Sequence, residues 1–220
     1  MLTILDTIQS DLLQTLSDHL CAKYSPHESE IIMLFIRRCC ASVALEDLRT
    51  RSVDHLLHAL LSLWHHIQAR LPGQLKVRVY NPEHEVDGWP STHTVVEISN
   101  DDIPFLVDSV RSTINDQGIL INLMMYTGGM QVRRDKSFKI IDILSYESLI
   151  AKGSTEAPIY VELDRKLDVD KIEKLQTLDK SQIKFLGYYE TEGREITFED
   201  NACAHIENTS GFGQKYLLEL

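Results

Sequence analysis

The front of the chain repeats its apolar residues with a helical period. From Thr3 to Lys23, Leu5, Ile8, Leu12, Leu16 and Leu20 return every three or four positions, with Leu13 beside them, and predict an amphipathic helix. Ser25-Pro26-His27-Glu28 predicts the start of a second helix: serine caps, proline fits the first turn, and glutamate reaches back to the cap. Ile31, Ile32, Leu34, Phe35 and Ile36 cover most of that helix's circumference, so burial on both sides is expected. Val43–Arg49 reads as a short helix or turn. Ser52 is the expected cap of a third long helix, ended near Arg70 by Leu71-Pro72-Gly73. On that helix Val53, Leu56, Leu57, Leu60, Leu61, Trp64 and Ile67 share one sector, and His55, His58, His65 and His66 the opposite one.

The period then falls to two. Leu75–Tyr80 alternates as a short strand, and the loop Asn81–Pro90 marks the entry to a second domain. His93–Ile98 alternates and is rich in β-branched residues, which predicts a strand. Asn100-Asp101-Asp102 supplies turn chemistry, with carboxylates that suit the cap of a following helix. Pro104 fits the first turn of that helix. Phe105, Leu106, Val110 and Ile114 form its apolar face, so Phe105 and Val110 are expected in the core, and Asp108 and Arg111 outside. Gly118 is the left-handed stop. The next strand, Ile119–Tyr126, places Ile119, Ile121, Leu123 and Met125 on one side and Leu120, Asn122, Met124 and Tyr126 on the other, as in a strand buried on both faces. Strand, helix and strand make the first half of a split βαβ unit.

Beyond Gly128-Gly129, Met130–Arg134 and Phe138–Leu144 predict a hairpin, and Arg133-Arg134 is read as its solvated tip rather than an anion site. Ser145–Ala157 is a polar connection. Pro158–Asp164 is a strand with Ile159, Val161 and Leu163 alternating, and Asp168–Thr177 a helix with Val169, Ile172 and Leu175 on one side. Ile183–Glu190 is the last strand expected, and 191–220 shows turn residues and little periodicity.

Composition narrows the chemistry. With 43% hydrophobic and 25% charged residues the chain can bury a core, and its net charge of -11 argues against nucleic acid or an anionic membrane as partner. Cys21, Cys39, Cys40 and Cys203 form no C-x-x-C pair and read as reduced thiols of a cytoplasmic protein. The start carries acids and no basic leader, and the longest apolar run, Ile31–Ile36, is too short to span a bilayer. The histidine sector reads as a polar, solvated or interface face, with a metal or a pH-sensitive contact as the alternative. Ser210-Gly211-Phe212-Gly213 lacks the third glycine and the strand–helix setting of a nucleotide loop. No Ser-His-Asp spacing and no nucleophile elbow is seen, so no catalytic residue and no metal ligand is assigned.

Two resemblances follow. Asp102-x-Pro104-x-Leu106, then Val110, Gly118, Ile119 and Ile121, resembles the first strand–helix–strand of an ACT domain, the small ferredoxin-like module that often senses amino acids. The segments 71–82, 88–110, 157–165 and 184–190 resemble, in order, the N-terminal region of the large bacterial NAD-specific glutamate dehydrogenases. The resemblance implies an α+β fold: an N-terminal helical segment (1–73) packed beside a ferredoxin-like, ACT-type βαββαβ domain (74–190) with a mainly antiparallel sheet, then the start of a following segment (191–220). Between Arg165 and Phe185 the chain is shorter than the family's usual helical stretch.

The resemblance also implies a role. The family's glutamate-binding and NAD-binding segments lie downstream, so this chain is expected to be inactive alone and to bind no cofactor, NAD serving the full-length enzyme. Its partners would be the dehydrogenase domain of the same enzyme, a second copy, or an amino-acid effector. The candidate ligand site is the loop Asn100, Asp101, Asp102, Ile103, Pro104 and Phe105, where a helix N-terminus suits a carboxylate and an aspartate an ammonium. ACT domains that bind amino acids commonly have glycine directly after the proline; here Phe105 stands there. The alternatives are a free-standing amino-acid-binding or dimerising module and, last, an RNA-binding module, which would need a basic face and stacking aromatics.

Overall fold

The computed structural model describes residues 4–144, 154–164, 167–176, 187–191, 203–207 and 214–219. It opens with α1 (Ile4–Cys21), α2 (Pro26–Ala41), α3 (Leu45–Arg49) and α4 (Val53–Ile67). The capping box of α2 is formed: Glu28 N–H donates to Ser25 Oγ at 3.4 Å, and Ser25 N–H to the Glu28 carboxylate at 3.2 Å. The His55 N–H donates to Ser52 Oγ at 3.2 Å and starts α4. Leu16, Leu20, Phe35, Ile36, Leu56 and Leu60 interlock in one core. Of the apolar set expected to be buried on α2, only Leu34 is not, at 42% exposed.

The main sheet contains β1 (Lys76–Tyr80), β2 (Thr94–Ser99), β3 (Ile121–Tyr126) and β7 (Ile159–Leu163), in the order β1-β2-β7-β3 with every pair antiparallel. A short helix α5 (His84–Asp87) interrupts the loop between β1 and β2, and α6 (Leu106–Asp116) joins β2 to β3. A second sheet, in the order β5-β4-β6, is built from β4 (Met130–Arg134), β5 (Ile140–Ile143) and β6 (Ser154–Glu156). β6 lies inside the stretch expected as a polar connection, whose residues 145–153 fall outside the described ones. Helix α7 (Val169–Gln176) follows β7; it buries Leu175 but leaves Val169 67% exposed. A third sheet holds β8 (Gly187–Thr191), β10 (Gln214–Glu219) and β9 (Cys203–Glu207) in that order. The tail expected to lack periodicity thus contributes strands.

This is the α+β, ACT-like, mainly antiparallel architecture that the pattern implied, with one difference. In a βαββαβ sheet the strand after the second helix would lie beside the first. Here β1, which precedes the unit, takes that edge, and β8 pairs with β10 instead. Chain proximity favours β1, because residues 81–93 alone separate it from β2, whereas β8 begins only at Gly187, and closing the shorter connection costs less entropy.

Both faces of the sheet are covered. Val96, Ile98, Ile159 and Val161 pack with Leu106, Val110 and Ile114 of α6 and Leu175 of α7. Val95, Tyr160, Leu123 and Met125 join the core of α2 and α4. The expected alternation of β3 is broken. Ile121 pairs with Leu163 and Leu123 with Glu162, so Asn122 is the extra residue of a bulge. Ile119 and Ile121 therefore face α6 while Leu123 and Met125 face the helices, rather than all four sharing a side.

Candidate functional site

The loop between β2 and α6 turns where the sequence places a boundary, but neither carboxylate caps the helix, and Asp101 is engaged elsewhere. Asn100 is buried, and its carbonyl accepts from the Ala157 N–H at 3.0 Å. Asp101 accepts at 2.6 Å from Nη2 of Arg70, a guanidinium that is fully buried. The Asp102 N–H donates to the Thr155 carbonyl at 2.9 Å. Helix α6 starts only at Leu106, later than Pro104 led us to expect, with Phe105 at the cap in the left-handed region (φ 62, ψ 12) and no side-chain cap. Proline keeps Ile103 out of the helical region, and the chain turns through Phe105 before it enters the helix. The Phe105 carbonyl then accepts from the Ser109 N–H and Oγ, each at 2.9 Å. Val110 is buried and Asp108 and Arg111 are exposed, as the helical phase requires, but Phe105, expected in the core, is only half-buried, because it precedes the helix and its left-handed backbone takes it out of the helical phase.

A cleft of about 550 Å³ opens at this turn. Ile103, Pro104, Phe105, Leu106 and Val107 supply apolar wall, and Asp102 and Asp108 supply two carboxylates. Tyr126 and Gly128 close it from the end of β3, and Ala157 from the start of β7. Of the residues picked from the sequence, Asp102, Ile103, Pro104 and Phe105 line the cleft; Asn100 and Asp101 do not. Asp108, Tyr126, Gly128 and Ala157 were not picked, because three of them come from elements distant in sequence. Gly129 leaves room for the Asp102 carboxylate, which comes too close for any side chain at that position. The chemistry suits a small zwitterion: helix N–H groups for a carboxylate, aspartates for an ammonium, and apolar wall for a side chain.

Behind the cleft lies a buried ion cluster. Glu156 accepts from Arg134 Nε at 2.8 Å and Nη2 at 2.7 Å, and from Arg70 Nε at 3.2 Å. Burial works to raise the Glu156 pKa, but the two guanidiniums outweigh it and hold it below the usual carboxylate value. Arg134 also donates to the carbonyls of Ile67 at 2.9 Å and Gln68 at 2.8 Å. Lys76 Nζ takes those of His66 at 2.6 Å and Ala69 at 2.8 Å. Two cations thus satisfy the terminal carbonyls of α4 and meet the negative end of its dipole. Arg134 was expected at a solvated hairpin tip; it is instead nearly buried, because Glu156 and the end of α4 both need its charge.

A second cluster fixes α4 to the sheet. Glu162, fully buried on β7, accepts from Arg51 Nη2 at 2.7 Å, pairs with His55 Nε2 at 2.7 Å and accepts from Tyr160 Oη at 3.2 Å. Burial raises its pKa, yet His55 and Arg51 prevail and set it at about 2. Glu97, buried on β2, lies 3.9 Å from His66 Nδ1 and 3.6 Å from Arg78 Nη1, and burial pushes its pKa up. Burial, with Lys76 and Arg78 nearby, lowers the His66 pKa to about 4. The histidine sector is therefore an interface: His55 and His66 face the sheet, while His65 is exposed. Among the described residues no group of His, Cys, Asp and Glu is placed to hold a metal, and no helix is long and apolar enough to cross a membrane. Cys21, Cys39 and Cys40 are free thiols.

A four-stranded antiparallel sheet with α6 and α7 on one face and a cleft at the first loop–helix junction defines an ACT-like module. Residues 35–178 match the family model described as glutamate dehydrogenase, ACT1 domain, and the chain belongs to that family. It is 36% identical over 166 residues to the NAD-specific glutamate dehydrogenase of Halomonas elongata, covering 76% of this chain and 10% of that protein. It is 35% identical over 179 residues to the NAD-specific glutamate dehydrogenase of Pseudomonas aeruginosa, covering 81% of this chain and 11% of that protein. The chain thus spans about a tenth of the length of these curated relatives. No solved structure matches it.

Proposed function

We propose that this chain is the N-terminal regulatory and assembly region of a cytoplasmic NAD-dependent glutamate dehydrogenase. The whole enzyme would deaminate L-glutamate oxidatively to 2-oxoglutarate and ammonium while reducing NAD, with catalysis and NAD binding carried by a downstream domain of the same polypeptide. The observation that carries the regulatory reading is the cleft at the start of α6, on a chain that belongs to the ACT1 family. Asp102, Ile103, Pro104 and Phe105 are the ligand-contacting residues of this proposal, with Asn100 and Asp101 supporting them from behind. The expected result is that one or more of the standard amino acids raises the melting temperature of the purified chain, and that Asp102→Asn abolishes the shift. A flat response across the whole panel, with the variant and the wild type alike, rejects the sensing role. Glutamate-dependent NADH formation should stay at background, and turnover that survives further purification would reject the division of labour.

Self-association belongs to the same proposal. Among the described residues, sheet order leaves β1 and β3 at the edges. The β3 edge is partly closed by the chain itself, since the Tyr126 N–H donates to Ser42 Oγ at 3.0 Å and Arg51 Nη2 to the Asn122 carbonyl at 3.4 Å. We propose association through ACT-like edges, most simply as a two-fold dimer. Analytical ultracentrifugation should show mass rising with concentration, and a single monomeric species throughout the micromolar range would exclude it.

A further inference from the structure

Arg70 occupies an unusual place. Its guanidinium is fully buried and reaches three separate parts of the fold. It donates to Asp101 in the β2–α6 loop at 2.6 Å, to Glu156 of β6 at 3.2 Å, and to the Gln74 carbonyl at 2.8 Å. Glu156 in turn holds Arg134, and Arg134 caps the Ile67 and Gln68 carbonyls of α4. Asp101 is the member of this chain of contacts that touches solvent, with its side chain 36% exposed. A buried guanidinium that loses one of two carboxylates must find another acceptor, because an unpaired charge in that setting is costly. The carboxylate that remains is Glu156, already 3.2 Å from Arg70 Nε, and Arg70 would then draw more of it away from Arg134.

We propose that Arg70 makes the β2–α6 loop and the C-terminal end of α4 one cooperative unit, so that displacement of Asp101 loosens the cap of α4. Movement at the cleft would then be transmitted to the helical layer. As regulation of the cleft this rests on the sensing role above; as a mechanical link it stands without it. The alternative route, through backbone contacts alone, runs through the Asp102 N–H to the Thr155 carbonyl and the Ala157 N–H to the Asn100 carbonyl, neither of which touches Arg70.

Hydrogen–deuterium exchange on the full chain, with no amino acid added, separates the routes. Asp101→Asn cuts the ion pair with Arg70 while preserving shape. Asp102→Asn alters a cleft-lining carboxylate that has no bond to Arg70. The expected result is faster exchange in Asp101→Asn, on the order of tenfold, both in residues 100–106 and in residues 64–70, with β7 unchanged. Asp102→Asn should leave residues 64–70 at the wild-type rate. Faster exchange confined to residues 100–106, equal acceleration of β7, or the same effect from Asp102→Asn would each overturn the link. Should Asp101→Asn fail to fold, Asp101→Glu makes the same comparison by moving the carboxylate one methylene. Because no ligand is used, an unresponsive amino-acid panel leaves the outcome unaffected.

Discussion

Phe105 holds a backbone conformation (φ 62) in which an L side chain crowds the following carbonyl. Glycine adopts it without that penalty. Replacing Phe105 by glycine or by alanine removes the ring equally, so the difference between the two variants isolates the backbone term. We expect Phe105→Gly to be the more stable by about 1 kcal/mol in urea denaturation, against the usual order of alanine over glycine near a helix. Equal stability, or alanine ahead, would show that the turn relaxes out of the left-handed region. The sequence showed that phenylalanine stands where, by the resemblance, amino-acid-binding ACT domains commonly have glycine. It did not show that the turn keeps a glycine-like geometry, because the path of the loop is set by Ser109, Ala157 and Thr155 together. Asp101 carries the same lesson. Its partner Arg70 is 31 residues away, and a local pattern offers capping as the nearest use for a carboxylate.

At the scale of elements, periodicity recovered the longer helices and the strands of the main sheet, because each must bury an apolar stripe; it missed α5, which buries none and lies in the stretch read as a loop. It misassigned one half of β3, since a bulge reverses the faces without leaving a mark in the alternation. That reversal has a consequence for deletions. Removing Asn122 makes Ile121 and Leu123 adjacent, and adjacent strand residues already face opposite ways. The faces of Leu123, Met125 and Tyr126 are preserved. Removing Met124 instead turns Met125 and Tyr126 to the wrong faces. We expect the Asn122 deletion to give a cooperative thermal transition and the Met124 deletion to lose it, with circular dichroism as the readout. Matching behaviour of the two deletions would count against the bulge. The α4 wheel separated its histidines correctly, but solvent and a polar sheet face look alike on a wheel. Only the placement of Glu97 and Glu162 on adjacent strands distinguishes them.

For the whole molecule, these buried groups set the response to acid. His66 has a folded pKa of about 4 against an ordinary value of 6.5, so the unfolded chain binds its proton first. Its contribution is complete above about pH 6.5 and is lost as pH falls towards 4, on the order of 3 kcal/mol. Glu162, at about 2 against 4.5, follows in the next window, from about pH 4.5 downward. Glu97 opposes both, since its raised pKa favours the fold at low pH and that benefit disappears as pH rises. Urea midpoints measured from pH 7 to pH 4 should fall less steeply in His66→Gln than in the wild type. Parallel profiles would remove His66 from the account.

The strand order also dictates when the sheet can exist during synthesis. β7 sits between β2 and β3, yet it is the last of the four to leave the ribosome. Until Ile159–Leu163 emerges, β2 has only β1 as a neighbour and β3 has none, so the backbone of β3 waits without a strand to pair with, whatever its side chains find among the helices. We expect chains truncated before residue 159 to expose an unpaired β3 edge and to aggregate where those extending past residue 163 do not, because only the longer ones contain every strand of the main sheet.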